Sequence, residues 1–288
     1  MVEPGRSRFV ILALDVDGTL LDERGELSAA TAQAVARAAA AGVRPVLCTG
    51  RRYRRALPVA EALGLDAPIV CNSGALVKDP MGHQTLWRAD FDRETLAAIA
   101  RLFADRDEPA VSFLDDGPSG RDFVVDRRAT GRPMFDEFVE LNRPHESVRP
   151  GWLGRAAESD KPGHFHLCAI GDRPRMAAFE AEAHAAMPGR LRTFVQRSPR
   201  YSGTMCELLR PDASKWAAVL HLAAIWGVDP AAICAVGDDA NDVPMLIGAG
   251  LGVAMPHAPA SVRAAADLVI EGRGPGALAA MIDRVVLA

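Results

Sequence analysis

The sequence is poor in cysteine, has no long apolar run and carries almost no net charge. Its five cysteines, Cys48, Cys71, Cys168, Cys206 and Cys234, are odd in number and show no metal-ligand spacing. They sit in apolar, strand-like stretches and read as reduced core residues of a cytoplasmic protein. For Cys48 and Cys71, near the presumed site, a core role outweighs a catalytic thiol. No apolar run approaches the ~20 residues that span a bilayer. Residues Met1 to Arg8 offer neither the apolar stretch nor the cleavage site of a signal peptide. A formal charge of -4 gives no electrostatic case for nucleic acid or for an anionic membrane. There is no internal repeat and no low-complexity tract beyond alanine enrichment. What remains is 288 residues, 49% of them hydrophobic, enough for a large core or two domains.

One stretch organises the rest. Phe9 to Leu14 is an unbroken apolar run, as suits a strand buried on both faces of a parallel sheet. It ends in two carboxylates, Asp15 and Asp17, followed by Gly18, which tolerates backbone angles other residues resist. In an open α/β sheet, ligands bind beyond the carboxyl ends of the strands. Two carboxylates delivered there by a buried strand need a compensating partner, and a hard divalent cation suits oxygen donors. The plain alternative is a pair of turn-capping aspartates.

The flanking pattern is β-α-β-α-β. Ser28 caps an alanine-rich helix that ends near Gly42. Val43 to Cys48 is a strand delivering Thr49-Gly50-Arg51, a helix disturbed by Pro58 covers Arg51 to Leu63, and Ile69 to Cys71 is a third strand. This predicts a doubly wound, Rossmann-like parallel sheet. After Ala75 the rhythm changes. Short strands at 75–77 and 84–87 flank a turn, and a helix starts at Asp92. Strands follow at 110–114 and 122–125, a loop at 144–163, a strand at 164–170, a helix at 175–187 and strands at 191–195 and 204–209. This reads as an α+β insert. A helix carrying Lys215, a buried strand at 233–236 and alternating short elements then resume the α/β pattern, closing with a helix from Pro275. The expected organisation is a discontinuous core, 1–83 and 211–288, with an inserted domain spanning 84–210.

Strand ends far apart in sequence thus converge on one sheet edge with Asp15, Asp17, Thr49, Asp238, Asn241 and Asp242, and with Lys215 near a helix start. Carboxylates for a cation, a hydroxyl and one lysine suit phosphoryl transfer, which needs charge neutralisation more than elaborate covalent chemistry.

These segments resemble, in order, the four motifs of the haloacid dehalogenase (HAD) superfamily. Asp15-Val-Asp17-Gly18-Thr19 is similar to its signature. Thr49-Gly50-Arg51, Asn72-Ser73-Gly74-Ala75, Gly237-Asp-Asp-Ala-Asn-Asp-Val-Pro-Met-Leu246 and Gly252-Val-Ala-Met255 resemble the Cof-type, class IIB form. The resemblance implies a HAD core with a class II cap and a Mg²⁺-dependent phosphatase acting on a small phosphorylated metabolite, such as a sugar phosphate. It implies Asp15 as nucleophile and Asp17 as acid and base. Mg²⁺ would be held by the Asp15 carboxylate, the Asp17 backbone carbonyl and Asp238. Thr49, Gly50, Lys215 and Asn241 would line the phosphate, and Asp242 would orient Lys215 or a metal-bound water.

Two positions depart from the subfamily pattern: Trp216, where glycine is common after the lysine, and Pro256-His257, where Gly-Asn is common. The four arginines Arg51, Arg52, Arg54 and Arg55 read as a solvated helix face rather than as a substrate funnel. Asp22 reads as a turn residue and Asp239 as a solvated neighbour. In capped families the cap reads the leaving part of the substrate. Arg121, Arg127, Arg128, His164, His166 and Tyr201 are candidates for that role, with no spacing to choose among them. A sugar phosphomutase and a non-catalytic phospho-metabolite-binding protein are the competing functions. An intact acid/base pair disfavours the second.

Overall fold

The computed structural model describes residues 7–22, 24–116, 120–159, 163–197, 201–272 and 276–288. Glu23, the residues before Ser7 and the Pro275 expected to open the last helix lie outside these. In chain order the first elements are β1 (Ile11–Leu14), α1 (Ala29–Ala40), β2 (Arg44–Leu47), α2 (Tyr53–Ala62), β3 (Ile69–Cys71), β4 (Leu76–Lys78) and β5 (Thr85–Arg88). There follow α3 (Arg93–Asp105), β6 (Val111–Asp116), β7 (Arg121–Val125), α4 (Pro133–Leu141), β8 (Glu146–Val148), α5 (Trp152–Glu158), β9 (His166–Gly171), α6 (Arg173–Ala186), β10 (Arg192–Arg197) and β11 (Thr204–Leu209). The chain closes with α7 (Lys215–Trp226), β12 (Ile233–Gly237), α8 (Val243–Gly248), β13 (Leu251–Ala254), α9 (Ala260–Ala265), β14 (Leu268–Val269) and α10 (Ala277–Met281).

The chain divides into two compact units, Met1–Trp87 with Ser214–Ala288, and Arg88–Ala213. The sequence pattern put the divisions at 83/84 and 210/211. Both divisions fall a little later, the second between Ala213 and Ser214, and the first because β5 pairs with β4 and continues the sheet of the first unit.

In the first unit the strand order is β14-β13-β12-β1-β2, all parallel, and a bridge from Cys48 to Val70 carries the sheet on to β3. The chain runs outward from β1 through β2 and β3, then returns on the other side of β1 through β12. β1 is therefore the switch point of the sheet, where the crevice at the strand ends forms. All four residues of β1 are fully buried. Ile11 and Ala13 pack with Val46, Ala235, Val219 and Leu222 on the α7 side. Burial on both faces explains the absence of any polar residue in this strand.

The second unit is an α+β domain with a six-stranded sheet, order β10-β11-β9-β6-β7-β8, antiparallel except for the β7–β8 pair. Its core gathers Leu96, Ile99, Phe103, Leu167, Phe179 and Leu208. The sequence reading differs here in two respects. Within the expected loop at 144–163 lie β8 and α5. Proline, glycine and charge dominate that stretch, but Trp152 and Ala157 bury into the core and hold α5 in place. Gly151, at φ 64, supplies the turn that opens it. α4, which no sequence pattern marked, buries Phe135, Phe138 and Val139.

Most of the polar residues proposed for recognition are engaged within this unit. Arg121 donates to the Glu146 carbonyl, and Arg128 pairs with the Glu146 carboxylate at 2.5 Å. His164 stacks on Trp152 and bonds Ser112 at 2.9 Å, and His166 packs against Phe113. Tyr201 donates to Met205 Sδ at 2.7 Å. Arg127 lies 3.8 Å from Asp107, at the surface.

Candidate active site

Register places the polar strand ends side by side. Leu14 is level with Leu47 on one flank and with Val236 on the other. The Asp15 N–H continues the ladder to the Val236 carbonyl at 3.0 Å, and the Thr49 N–H bonds the Val70 carbonyl at 2.9 Å. Asp15, Thr49 and Asp238 therefore leave the sheet at one edge.

Lys215 is the hub. It is the first residue of α7, behind the N-cap Ser214, whose hydroxyl accepts from the Ala217 N–H at 3.0 Å. Its side chain is only 1% exposed, and Nζ lies 2.6 Å from Asp15 Oδ1 and 2.5 Å from Asp242 Oδ1. Burial opposes its charge, but the two carboxylates outweigh burial and hold the ammonium protonated well above the usual lysine range. Asp242 is anchored from the other side as well: its Oδ2 accepts from the Asp238 and Asp239 N–H groups, both at 2.9 Å. With both oxygens engaged, Asp242 orients Lys215. Asp239 is not merely solvated, since it forms a capping box with Asp242.

Asp238 accepts from Thr19 Oγ1 at 3.0 Å, and His257 Nε2 lies 3.5 Å from its other oxygen. Thr19 belongs to the first motif, but the sequence reading gave it no role. Asn241 is buried. Its Nδ2 is 3.5 Å from Ser73 Oγ, and its Oδ1 has no partner in the structure. Asn72 and Ser73 both adopt left-handed backbone angles, at φ 51 and 54, and both are buried. Such conformations cost on the order of 1–3 kcal/mol each for non-glycine residues and cluster at functional sites. The Gly74 that follows lies against the Ser214 backbone, where a Cβ would stand 2.0 Å from the carbonyl carbon. This loop is thereby wedged under the start of α7.

Trp216 is explained by Gly248. A Cβ on that glycine would lie 2.3 Å from the indole, so α8 leaves the space in which the ring packs. Cys48 and Cys71 are buried, and burial pushes the Cys48 thiol far up, which disfavours a thiolate nucleophile.

Asp17 departs from the cluster. Its carboxylate accepts from Arg51 Nε at 2.7 Å and Nη2 at 2.5 Å. The solvated helix face expected for the arginines is corrected in two places. Arg51 precedes α2, held by its N–H to Thr49 Oγ1 at 3.0 Å and by its carbonyl to the Asn72 N–H at 3.0 Å, and Arg52 is buried. An arginine-rich helix start looks alike whether it faces water or a carboxylate, so only the fold distinguishes the two.

The residues present fit a divalent cation. Oxygens of Asp15, Asp238 and Asp242 lie within 4.8 Å of one another. Burial, then Asp242 and Asp238, raises the Asp15 carboxyl well above the usual range, against the pull of Lys215. Burial and Asp242 push Asp238 up to about 6. One lysine does not balance three clustered carboxylates, two of them buried, and a hard cation would.

Residues 12–282 match the family model of the haloacid dehalogenase-like hydrolases. The chain belongs to this family. It is 25% identical to the pyridoxal phosphate phosphatase YbhA of Escherichia coli, over 90% of this chain and 92% of that protein. It is also 25% identical to the 5-amino-6-(5-phospho-D-ribitylamino)uracil phosphatase YwtE of Bacillus subtilis, over 96% and 97%. The solved HAD subclass IIB sugar phosphatase BT4131 shares the fold, with TM-score 0.73 and 19% identity, over 94% of this chain and 97% of that one. A haloacid dehalogenase-like hydrolase from Bacteroides thetaiotaomicron superposes with TM-score 0.76 and 22% identity, over 96% and 99%. The Cof-type resemblance read from the motifs is borne out. The enzyme class it implied, phosphoric monoester hydrolase, agrees with the names these relatives carry. No helix among the described residues is long and apolar enough to cross a membrane.

Proposed function

We propose that the chain is a Mg²⁺-dependent phosphatase that hydrolyses a small phosphate monoester, a sugar phosphate or similar metabolite, through an aspartyl phosphate on Asp15. The observation that carries this reading is the buried Lys215 bridge between Asp15 and Asp242, with Asp238 alongside. A buried lysine that steadies a nucleophilic carboxylate at a sheet switch point serves phosphoryl transfer better than structural packing.

In the first half-reaction an Asp15 oxygen forms a bond to phosphorus as the bond from phosphorus to the leaving oxygen breaks. The proton on the Asp17 carboxyl passes to that oxygen. In the second, water attacks phosphorus and gives a proton back to Asp17, and the bond from phosphorus to Asp15 breaks. Both aspartates are restored. Lys215, the Thr49 hydroxyl, the Gly50 backbone N–H and the Asn241 amide Nδ2, which makes only a long 3.5 Å contact to Ser73 Oγ, donate to the phosphoryl oxygens. Mg²⁺, held by Asp15 and Asp238 with the Asp17 backbone carbonyl, would supply charge neutralisation of the phosphoryl group. The motifs and the relatives, named as phosphatases of small phosphorylated molecules, support an enzyme of small metabolites, and five free, buried cysteines suit a cytoplasmic one.

The test is phosphate release from a panel of sugar phosphates, nucleotides and phosphorylated cofactors, with Mg²⁺ and with chelator. Metal-dependent release that vanishes in Asp15→Asn supports the reading. Release that survives this substitution overturns the nucleophile assignment. Isomerised sugar phosphate without free phosphate would make the chain a mutase, and binding without turnover a sensor.

A further inference from the structure

The carboxylate assigned as acid and base does not lie in the Lys215 network. Asp17 is gripped by Arg51 through two parallel contacts, Nε to Oδ2 at 2.7 Å and Nη2 to Oδ1 at 2.5 Å. Such a fork fixes the plane of a carboxylate as well as its position, which a single point charge cannot do.

Arg51 is itself held at several points. Its N–H donates to Thr49 Oγ1 at 3.0 Å, its carbonyl accepts from the Asn72 N–H at 3.0 Å, and its remaining terminal nitrogen, Nη1, reaches the Arg55 carbonyl at 3.4 Å in the first turn of α2. Asp17 sits on an equally tight turn, with the Gly18 N–H bonded to the Leu21 carbonyl at 3.0 Å and the Leu21 N–H to the Val16 carbonyl at 2.9 Å. Two rigid backbone segments thus meet through one ion pair.

The pair is half-buried, the Asp17 side chain 40% exposed and that of Arg51 20%, so water screens part of what it adds to folding stability. A two-point contact anchored on both sides fixes the aim of the carboxylate as well.

We propose that Arg51 is the positioning residue for Asp17, setting the carboxyl where it can pass its proton to the leaving oxygen. This rests on the phosphatase reading. When the ester enters, one of the two contacts gives way so that an Asp17 oxygen can carry the proton, and the other keeps the group aimed.

The experiment compares kcat/KM on two substrates that differ in their need for an acid. p-Nitrophenyl phosphate releases a stable phenolate that needs no proton, whereas a hexose 6-phosphate releases an alkoxide that does. kcat/KM covers the steps through loss of the first product, so later hydrolysis of the aspartyl phosphate does not enter. Asp17→Asn should lose about 10²–10⁴-fold on the hexose ester and far less on the aryl ester. Arg51→Gln should show the same selectivity at about 10–100-fold, with the aryl ester within about threefold of wild type, a smaller share of the acid term. Arg51→Lys, able to keep one contact, should recover part of the loss. The double variant should match Asp17→Asn alone.

Equal losses on both substrates in Arg51→Gln, or no loss on either, overturn the positioning role. The first would make Arg51 a contact for the phosphate common to both. If Asp17→Asn itself shows no selectivity, the acid assignment fails and the proposal with it. Selectivity in Asp17→Asn without selectivity in Arg51→Gln overturns the proposal alone.

Discussion

Gly18 makes room for Asp238. A Cβ on Gly18 would stand 2.4 Å from Asp238 Oδ2, and the glycine sits at φ +84, where side chains are disfavoured. The glycine of the first motif and the acid of the last, 220 residues later, are one steric unit. Gly18→Ala should therefore push the Asp238 carboxylate off its Thr19 contact. Expected is a loss of Mg²⁺ affinity and a drop in kcat/KM of at least about tenfold, one decade being about 1.4 kcal/mol of lost transition-state stabilisation. Calorimetric Mg²⁺ titration checks it, and unchanged affinity would show that Asp238 is placed by other contacts.

Lys215 carries more than catalysis. Removing it leaves Asp15 and Asp242 facing one another in a buried pocket with no cation between them. Breaking one partner of a buried pair typically costs about 3–5 kcal/mol. Lys215→Ala should lose all turnover and unfold at markedly lower denaturant concentration. The companion Lys215→Ala/Asp242→Asn variant should regain part of that stability without activity, because one of the stranded charges is gone. Denaturant melts of both variants measure this, and equal stability of the two would contradict the electrostatic account.

The carboxylate cluster should respond to metal in the folded state itself. Asp15 and Asp238 are both raised by burial and by repulsion from Asp242, so a bound cation relieves a cost that the metal-free protein bears. Mg²⁺ should raise Tm progressively with concentration, by about 2.7 kcal/mol of stability at a hundredfold excess over Kd. The rise should be absent in Asp238→Asn. Chelator should reverse it, and a Tm indifferent to Mg²⁺ would argue against a cation at this cluster.

How much of this was open to reading from sequence depended on what each residue is surrounded by. Asp15, Thr49 and Asp238 were legible because apolar strand runs end abruptly at them, and a parallel sheet has one edge for such ends. Lys215 was legible as a position in a motif, but the sequence does not reveal that its ammonium is buried. Arg51 was misread because arginines at a helix start look solvated whatever they face. The Gly18–Asp238 and Gly248–Trp216 contacts were invisible, since a glycine's use depends on what lies opposite. In the second unit, α5 was hidden because its apolar face is only Trp152, Leu153, Ala156 and Ala157, a single short stripe set among glycine, proline and charge.

The second unit offers a prediction independent of the chemistry. His166 lies on β9, fully buried against Phe113, and burial pushes its pKa down to about 3. Glu207 lies 3.8 Å from the ring, too long for a strong pair. The folded protein therefore keeps the imidazole neutral, whereas the unfolded chain takes up a proton near the ordinary histidine value of about 6.5. Below that value the unfolded state binds more protons than the folded state, so stability falls as pH falls, from about 6.5 down to about 3. Between pH 7.5 and pH 5 the loss from this one group should be about 2 kcal/mol, from the difference in protons bound. His166→Gln preserves a polar, uncharged side chain and removes the titration. Guanidinium unfolding of the wild type and of His166→Gln at the two pH values should show the wild type losing that much more than the variant on acidification. Parallel losses in the two proteins would mean that the folded state accommodates the protonated ring, with Glu207 closing to meet it.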